Sequence, residues 1–556
     1  MVHKSKRSFG VVFFVFLMIL VSIPILAASS EPIRSVYYVT NTLSSGAGSL
    51  RQALLDANNY AGKDYIYFNI PESDSGYNSS LGVWFIHLTT VLPMLEDGNG
   101  VVIDGSTQPG THAYLPGIII DASALTAGTE IFTIISNLNK INHLGLVSSQ
   151  GNSIELDSDV DYNIISENQI FNSNGHGIFL HAGDDHTSIV DNQICGHKGD
   201  GIYIENSGAS FISGNVIGIQ PSYMPSVLKN EDNGISCVGC YDSIIQENTI
   251  SGNLGNGVYF SNASDNLLED NRIGLSEDGL TAIGNAKYGV LLENNSANND
   301  IFENWISGNT QDGIRLTGSG TSNNHIEKNK IGLGLGGSLP NGQHGIGIYT
   351  EASGNYVGSL SDPQRYNIIT SNGWSGVVVV NSSVGSNFIF DNYILYNQYY
   401  GVHINNSYDN FIGSNTINGN GIAGMYAGVR IEGSASLSNN ISMNSISQNT
   451  GLGIQLVSGG NAELAAPVIS SATCNTVVGT TCPNCTVQIY SDEEDEGRVF
   501  EISTNANASG DFTYTDYMGF TGPNFTAITF DSDGNTSQFS APMAGCLRIF
   551  FPLVKK

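Results

Sequence analysis

Histidine and aspartate gather in one stretch of a chain that is otherwise poor in charge. His176, His181, Asp184, Asp185, His186, His197 and Asp200 fall within 25 residues. His176 and Asp200 are the candidate catalytic pair, because a His–Asp pair under a cleft can act as general acid and base. The same histidines could instead hold a metal, though none is assigned as a ligand. The plain expectation is that they are turn residues. A second set is dispersed along the chain: Tyr203, Tyr259, Arg315, His403 and Arg430. Aromatic rings can stack on sugar rings, and arginine can pair with a uronate carboxylate. The run Asp492-Glu-Glu-Asp-Glu496 could bind calcium through carboxylates, but it lacks the calcium-loop spacing and reads as a solvated acidic loop.

Which of these residues meet depends on an internal repeat. Ser243-Ile-Ile-Gln-Glu-Asn248-Thr-Ile250 returns as Asn299-Asp-Ile-Phe-Glu-Asn304-Trp-Ile306. The phrase recurs around Asn168, Asn192, Asn215, Asn271, Asn329, Asn392, Asn415 and Asn444, with a variant at Asn367. Most spacings along this series are 23 to 25 residues, and longer ones mark inserted segments such as Gly218–Asp232, Gly274–Lys287 and Gly332–Gln343. Each unit holds short runs of alternating Ile, Val, Leu or Phe broken by Asn, Gly and Asp. Such units cannot cover their own apolar face and must stack. The predicted fold is all-β: a right-handed parallel β-helix followed by a small β-sandwich. Asparagine is expected at the corners, tolerating left-handed backbone and bonding along the axis.

Coils aligned on the repeat glycine predict two stacked columns. The residue before it runs from His176 and Asp200 through Tyr288, Asp312, His344 and Tyr400. The residue two after it runs Phe179, Tyr203, Ser236, Tyr259, Leu291, Arg315, Gly347, Val378, His403, Arg430, Gln455. The mixture in the second column suits an acidic or neutral glycan.

Composition agrees with stacking. Charged residues are 13%, against about 25% in ordinary domains. Equivalent residues of successive coils lie roughly 4.8 Å apart. Like charges there repel by on the order of 1 kcal/mol even in water. The 20 basic against 50 acidic residues, net −30, exclude a nucleic-acid binder with a basic footprint.

Residues 1–30 read as a signal peptide: Lys4, Lys6 and Arg7, an apolar Val11–Leu26, then Ala27, Ala28, Ser29 and Ser30. An exported protein is expected, with no membrane span after cleavage. Residues 31–110 hold the N-terminal cap and first coils, with a helix in Gly48–Asn58 whose buried face is Leu50, Ala53, Leu54 and Ala57. The β-helix covers 111–462, the sandwich 463–545 and a tail 546–556. There are seven cysteines, and Cys482-Pro-Asn-Cys485 reads as a local disulfide.

The strings Val39-Thr-Asn41, Gly48-Ser-Leu-Arg-Gln-Ala-Leu-Leu-Asp-Ala-Asn58, Phe68-Asn-Ile-Pro71 and Ile103-Asp-Gly-Ser-Thr-Gln-Pro-Gly110 resemble the opening of secreted right-handed parallel β-helix repeat proteins. The resemblance covers residues 36 to about 460 and implies fold and export, but little about reaction. Residues 463–545 are similar to the immunoglobulin-like modules that follow such helices. Polygalacturonase-like and mannuronan-epimerase-like motifs are incomplete here; Asp362-Pro-Gln-Arg365 lacks the second Asp and the His of Asp-Pro-His-Asp. The function expected is a secreted or cell-surface protein that binds a polysaccharide or cell-surface glycan, as an adhesin or surface-matrix component. The alternative is a polysaccharide lyase or glycoside hydrolase acting on the β-helix face.

Overall fold

The computed structural model describes residues 35–60, 62–110, 115–220, 228–383, 386–516 and 519–545. The signal segment 1–30, the tail 546–556 and Cys546 lie outside them. Three long sheets of 15, 15 and 13 strands run side by side, and within each the strands pair in parallel, apart from one hairpin at Tyr77–Asn78. One coil illustrates the path. Val258–Ser261 belongs to the third sheet, Leu267–Glu269 to the first, Arg272–Ile273 to the second, and Val290–Glu293 returns to the third. The strands are short because the alternating apolar runs are short. Their inward residues pile up across coils: Ile202, Ile235, Val258, Val290 and Ile314 are in register and 0% exposed. Each such side chain contributes about 1.5–3 kcal/mol through burial. A connection between parallel strands of one sheet takes the right-handed crossover, and the chain winds into a right-handed parallel β-helix.

The corner between the first and second sheets carries the asparagine series. From Asn168 to Asn444, each Nδ2 donates to the Oδ1 of the next asparagine one coil on, at 2.9–3.1 Å. The left-handed backbone expected of these asparagines sits one residue earlier: Glu167, Asp191, Glu247, Asp270, Glu303 and Lys328 have φ of 50–57°. The asparagine itself is required for its amide, which satisfies buried backbone groups and the next rung together.

Two further ladders occupy the other corners. One runs Asn230, Asn253, Asn285, Asn309, Asn341, Asn372, Asn397, Asn420 and Asn449, with rungs of 2.8–3.1 Å. Another runs Asn266, Asn299, Asn324, Asn355, Asn387, Asn410 and Asn439, with rungs of 2.9–3.3 Å.

Both ends of the stack are closed. The helix Leu50–Asn59 starts at Ser49, whose Oγ accepts the Gln52 N–H, and buries Leu50, Ala53, Leu54 and Ala57. At the other end two antiparallel sheets, of three and four strands, form the sandwich. Gly497 and Ile446 exchange two backbone bonds of 3.0 Å, and Thr536 Oγ1 accepts the Ile441 N–H, so the sandwich sits on the last coil.

Here the acidic run departs from expectation. Asp492 and Glu496 are buried, and Glu496 terminates an asparagine ladder by accepting Asn449 N–H and Nδ2–H, both at 3.2 Å. Burial pushes its carboxyl up to about 7. The expected Cys482–Cys485 disulfide is present, and a second joins Cys237 to Cys240. Among the described residues no helix is long and apolar enough to cross a membrane.

Candidate functional site

The third sheet carries the outward column in register: Phe179, Tyr203, Ser236, Tyr259, Leu291, Arg315, Gly347, Val378, His403, Arg430 and Gln455 lie on successive strands. His403 and Arg430 are neighbours. Tyr203, Tyr259 and Arg315 are each set apart by intervening residues, and the whole set spans about 40 Å at the parallel strand spacing.

Arg315 is the most constrained of them. Its guanidinium lies 3.9 Å from the ring centre of Tyr349 and 5.0 Å from that of Tyr288. Its Nη1 is 3.4 Å from Asp312 Oδ2, and Tyr349 Oη donates to the same oxygen at 3.4 Å. The other carboxylate oxygen accepts the His344 N–H at 3.0 Å. Burial pushes the Asp312 carboxyl up to about 6, against the pull of that backbone bond and of Arg315. Burial likewise holds His344 neutral, down to about 3. Both oxygens of Asp312 are thus committed, and its visible effect is to aim a cation held between two aromatic rings.

A second cluster lies further along the sheet. Glu432 Oε2 accepts from Arg430 Nε at 3.0 Å and lies 3.1 Å from His403 Nε2. Arg430 Nη1 donates to Gln455 at 2.9 Å, and its guanidinium is 5.3 Å from the Tyr400 ring centre. Burial lowers the His403 pKa, so the neutral ring donates through Nε2 and leaves Nδ1 as an acceptor. Tyr259 Oη donates to Glu293 at 2.8 Å.

Sequence reasoning did not single out the aromatic row beside this cluster. Trp374 stacks on Tyr399 at 6.4 Å, and Tyr399 on Tyr426 at 4.7 Å. The signal was available, since each stands two residues before a repeat glycine, Gly376, Gly401 or Gly428.

At the candidate pair, Asp200 N–H donates to His176 Nδ1 at 3.0 Å, and Asp200 Oδ1 accepts the Asn233 N–H at 2.8 Å. An Nδ1 that accepts has its lone pair engaged, so it does not donate to Asp200 Oδ2 at 3.3 Å. His176 and Asp200 occupy rungs that Asn233 fills for Asn256 one coil later. His181 bonds Glu155 at 3.0 Å, and His197, fully buried, accepts the Ser173 N–H at 3.1 Å. Asp184 is also buried, and desolvation raises its carboxyl to about 8.

The inserts rise at the corner between the second and third sheets. Leu275 pairs with Ala282 in one hairpin and Leu333–Gly334 with Gly337–Ser338 in another, and Leu335 N–H joins the two through Gly279 O at 3.0 Å.

Two family models match parts of the chain: "Right handed beta helix region" over residues 183–359, and "Periplasmic copper-binding protein (NosD)" over 133–223. Among the described residues no group of three or more His, Cys, Asp or Glu is placed to hold a metal ion. A search of curated proteins finds no match. Among solved structures, the chain is similar to the A-module of an Azotobacter vinelandii mannuronan C-5 epimerase, AlgE6, at 12% identity and TM-score 0.39, over 76% of this chain and 98% of that one. It is similar to the periplasmic alginate epimerase AlgG at 11% identity and TM-score 0.30, over 75% and 89%. DFA-IIIase from Arthrobacter chlorophenolicus is similar at 14% identity and TM-score 0.33, over 65% and 94%. At these values the likenesses bear on neither reaction nor substrate.

Proposed function

We propose that the chain is an exported β-helix protein that binds a polysaccharide or cell-surface glycan along its third sheet, as an adhesin or matrix component. Arg315 carries this reading: a half-buried cation between Tyr288 and Tyr349, aimed by a carboxylate whose oxygens are both engaged. That arrangement presents a fixed donor fork and ring edges to a sugar. Tyr203, Tyr259, His403 and Arg430 extend the surface along the same column. Export rests on the signal-like residues 1–30, and the periplasmic naming of one matching family model supports it. The immunoglobulin-like reading of residues 463–545 makes the sandwich an accessory module that also closes the stack.

The test is retention on a panel of immobilised polysaccharides. The parent chain is expected to be retained, and the double change Tyr259→Ala with Arg315→Ala should release it. Parent chain that passes through every column removes the binding reading. The same panel decides the alternative, since a lyase would leave unsaturated sugar ends and a hydrolase new reducing ends.

A further inference from the structure

The second sheet carries a different surface, built from the residue that follows each rung of the first ladder. Asn271 is followed by Arg272, Asn304 by Trp305 and Asn329 by Lys330. Register places Arg272, Trp305 and Lys330 on adjacent strands, pointing outward and half-buried. Lys330 Nζ lies 3.8 Å from the Trp305 ring centre. The indole holds the ammonium in place without neutralising it.

Only some of the described cations are neutralised at contact distance. Arg315, Lys328, Arg365 and Arg430 each lie within 4 Å of a carboxylate, on Asp312, Glu303, Glu327 and Glu432 respectively. Among the described residues, neither Arg272 nor Lys330 has such a partner. Two unneutralised cations on one face of a chain with net charge −30 are a local exception to its repulsion of anions.

The surface is also walled. The insert between Val357 and Asn367 crosses the corner between the first and second sheets. Its Arg365 is pinned to Glu327 at 2.6 Å on one side, while Gln364 and Tyr366 line the groove on the other. On the opposite flank, the hairpin at Gly279 comes so close that a Cβ there would stand 3.6 Å from Arg272 Nε. Beside the insert lies a cavity of about 400 Å³, lined by Trp305, Lys328, Lys330, Gln364, Tyr366 and the rim acids Asp270 and Glu303, within the usual range for small-ligand sites.

We infer that this second-sheet groove binds the carboxylate of a uronic-acid unit in an oligosaccharide, at a site separate from the third-sheet surface. Lys330 takes the carboxylate, while Gln364, Tyr366 and the rim acids bond to sugar hydroxyls. The inference does not depend on the third-sheet reading.

Calorimetric titration of the full chain tests it, using oligogalacturonate, oligomannuronate and their carboxyl-reduced, neutral counterparts. At least one uronate should bind, more weakly as salt rises, and its neutral counterpart should bind about tenfold more weakly or less. Lys330→Ala should lose about tenfold, while Lys140→Ala, on the first sheet, should leave this binding unchanged. No binding of either uronate overturns the inference, as does equal binding of the reduced sugars or unchanged affinity in Lys330→Ala. Loss in Arg315→Ala with retention in Lys330→Ala assigns the uronate to the third sheet and overturns the groove alone.

Discussion

The inside and the outside of the same coils obey opposite rules. At the corner between the first and second sheets one residue type repeats from Asn168 to Asn444, whereas the outward column of the third sheet changes from Tyr203 to Arg430 almost strand by strand. The interior position must supply a donor and an acceptor along the axis while satisfying its own corner, and asparagine does all of this without charge. The exterior position has only to avoid stacking like charges. Repetition therefore marks the scaffold, and departure from repetition marks the surface available for binding. Among the departures, two pairs of cations differ: Arg315 and Arg430 are aimed by carboxylates on the third sheet, whereas Arg272 and Lys330 on the second have none within 4 Å among the described residues.

The largest effect expected is inside. Asn304→Leu removes the acceptor for the buried Asn271 N–H at 2.9 Å, although Asn271 Nδ2 keeps Ile245 O and Glu269 O, and it takes away the amide that donates to Leu268 O at 2.7 Å. Each unsatisfied group costs about 1–3 kcal/mol, so denaturant unfolding should show a loss of about 2–5 kcal/mol. A variant as stable as the parent would show that the ladder merely accompanies the hydrophobic stack.

Charges committed to buried rungs come next. A carboxyl raised in the folded state keeps its proton longer than in the unfolded chain. Its stabilising contribution is then full below the unfolded value and is lost as pH rises through the folded one. For Asp312 the window runs from its ordinary 3.8 to about 6. Asp312→Asn keeps an acceptor for the His344 N–H, as Asn233 does for Asn256. Thermal melts should show the parent falling relative to this variant across that window, by at most about 3 kcal/mol. Parallel curves would remove the argument that Asp312 is a desolvated rung.

Glu496 extends the comparison to the junction with the sandwich, where a carboxylate stands in for the next asparagine. Its window runs from 4.5 to about 7. Glu496→Gln should flatten the pH dependence there, by an amount comparable to the Asp312 change, while keeping an acceptor for Asn449. An unaltered pH profile would detach the junction from this carboxyl.

Much of the scaffold was legible because a solenoid turns sequence separation into spatial contact. The asparagine phrase predicted its own ladder, the glycine alignment predicted the third-sheet register, and Leu50, Ala53, Leu54 and Ala57 predicted the buried face of the cap helix. The other ladders were missed because their phrases are looser; one opens through Ser173 and His197 before asparagine takes over at Asn230. His176 and Asp200 drew attention as chemistry because they belong to the densest titratable cluster of the sequence. Their bonds show them serving as rungs. The groove residues Trp305 and Lys330 stood in plain sight after successive ladder asparagines, yet nothing local announced that the insert ending at Tyr366 would line the same cavity.

The amino-acid sequence by itself determined the coil, its axial partners and the scarcity of charge, because stacking at a fixed period imposes the same demand on every turn. Only the tertiary structure decided which cations are neutralised, where the inserts lean and how Glu496 closes a ladder. Those outcomes depend on segments that break the period, and such segments meet neighbours no spacing rule can name.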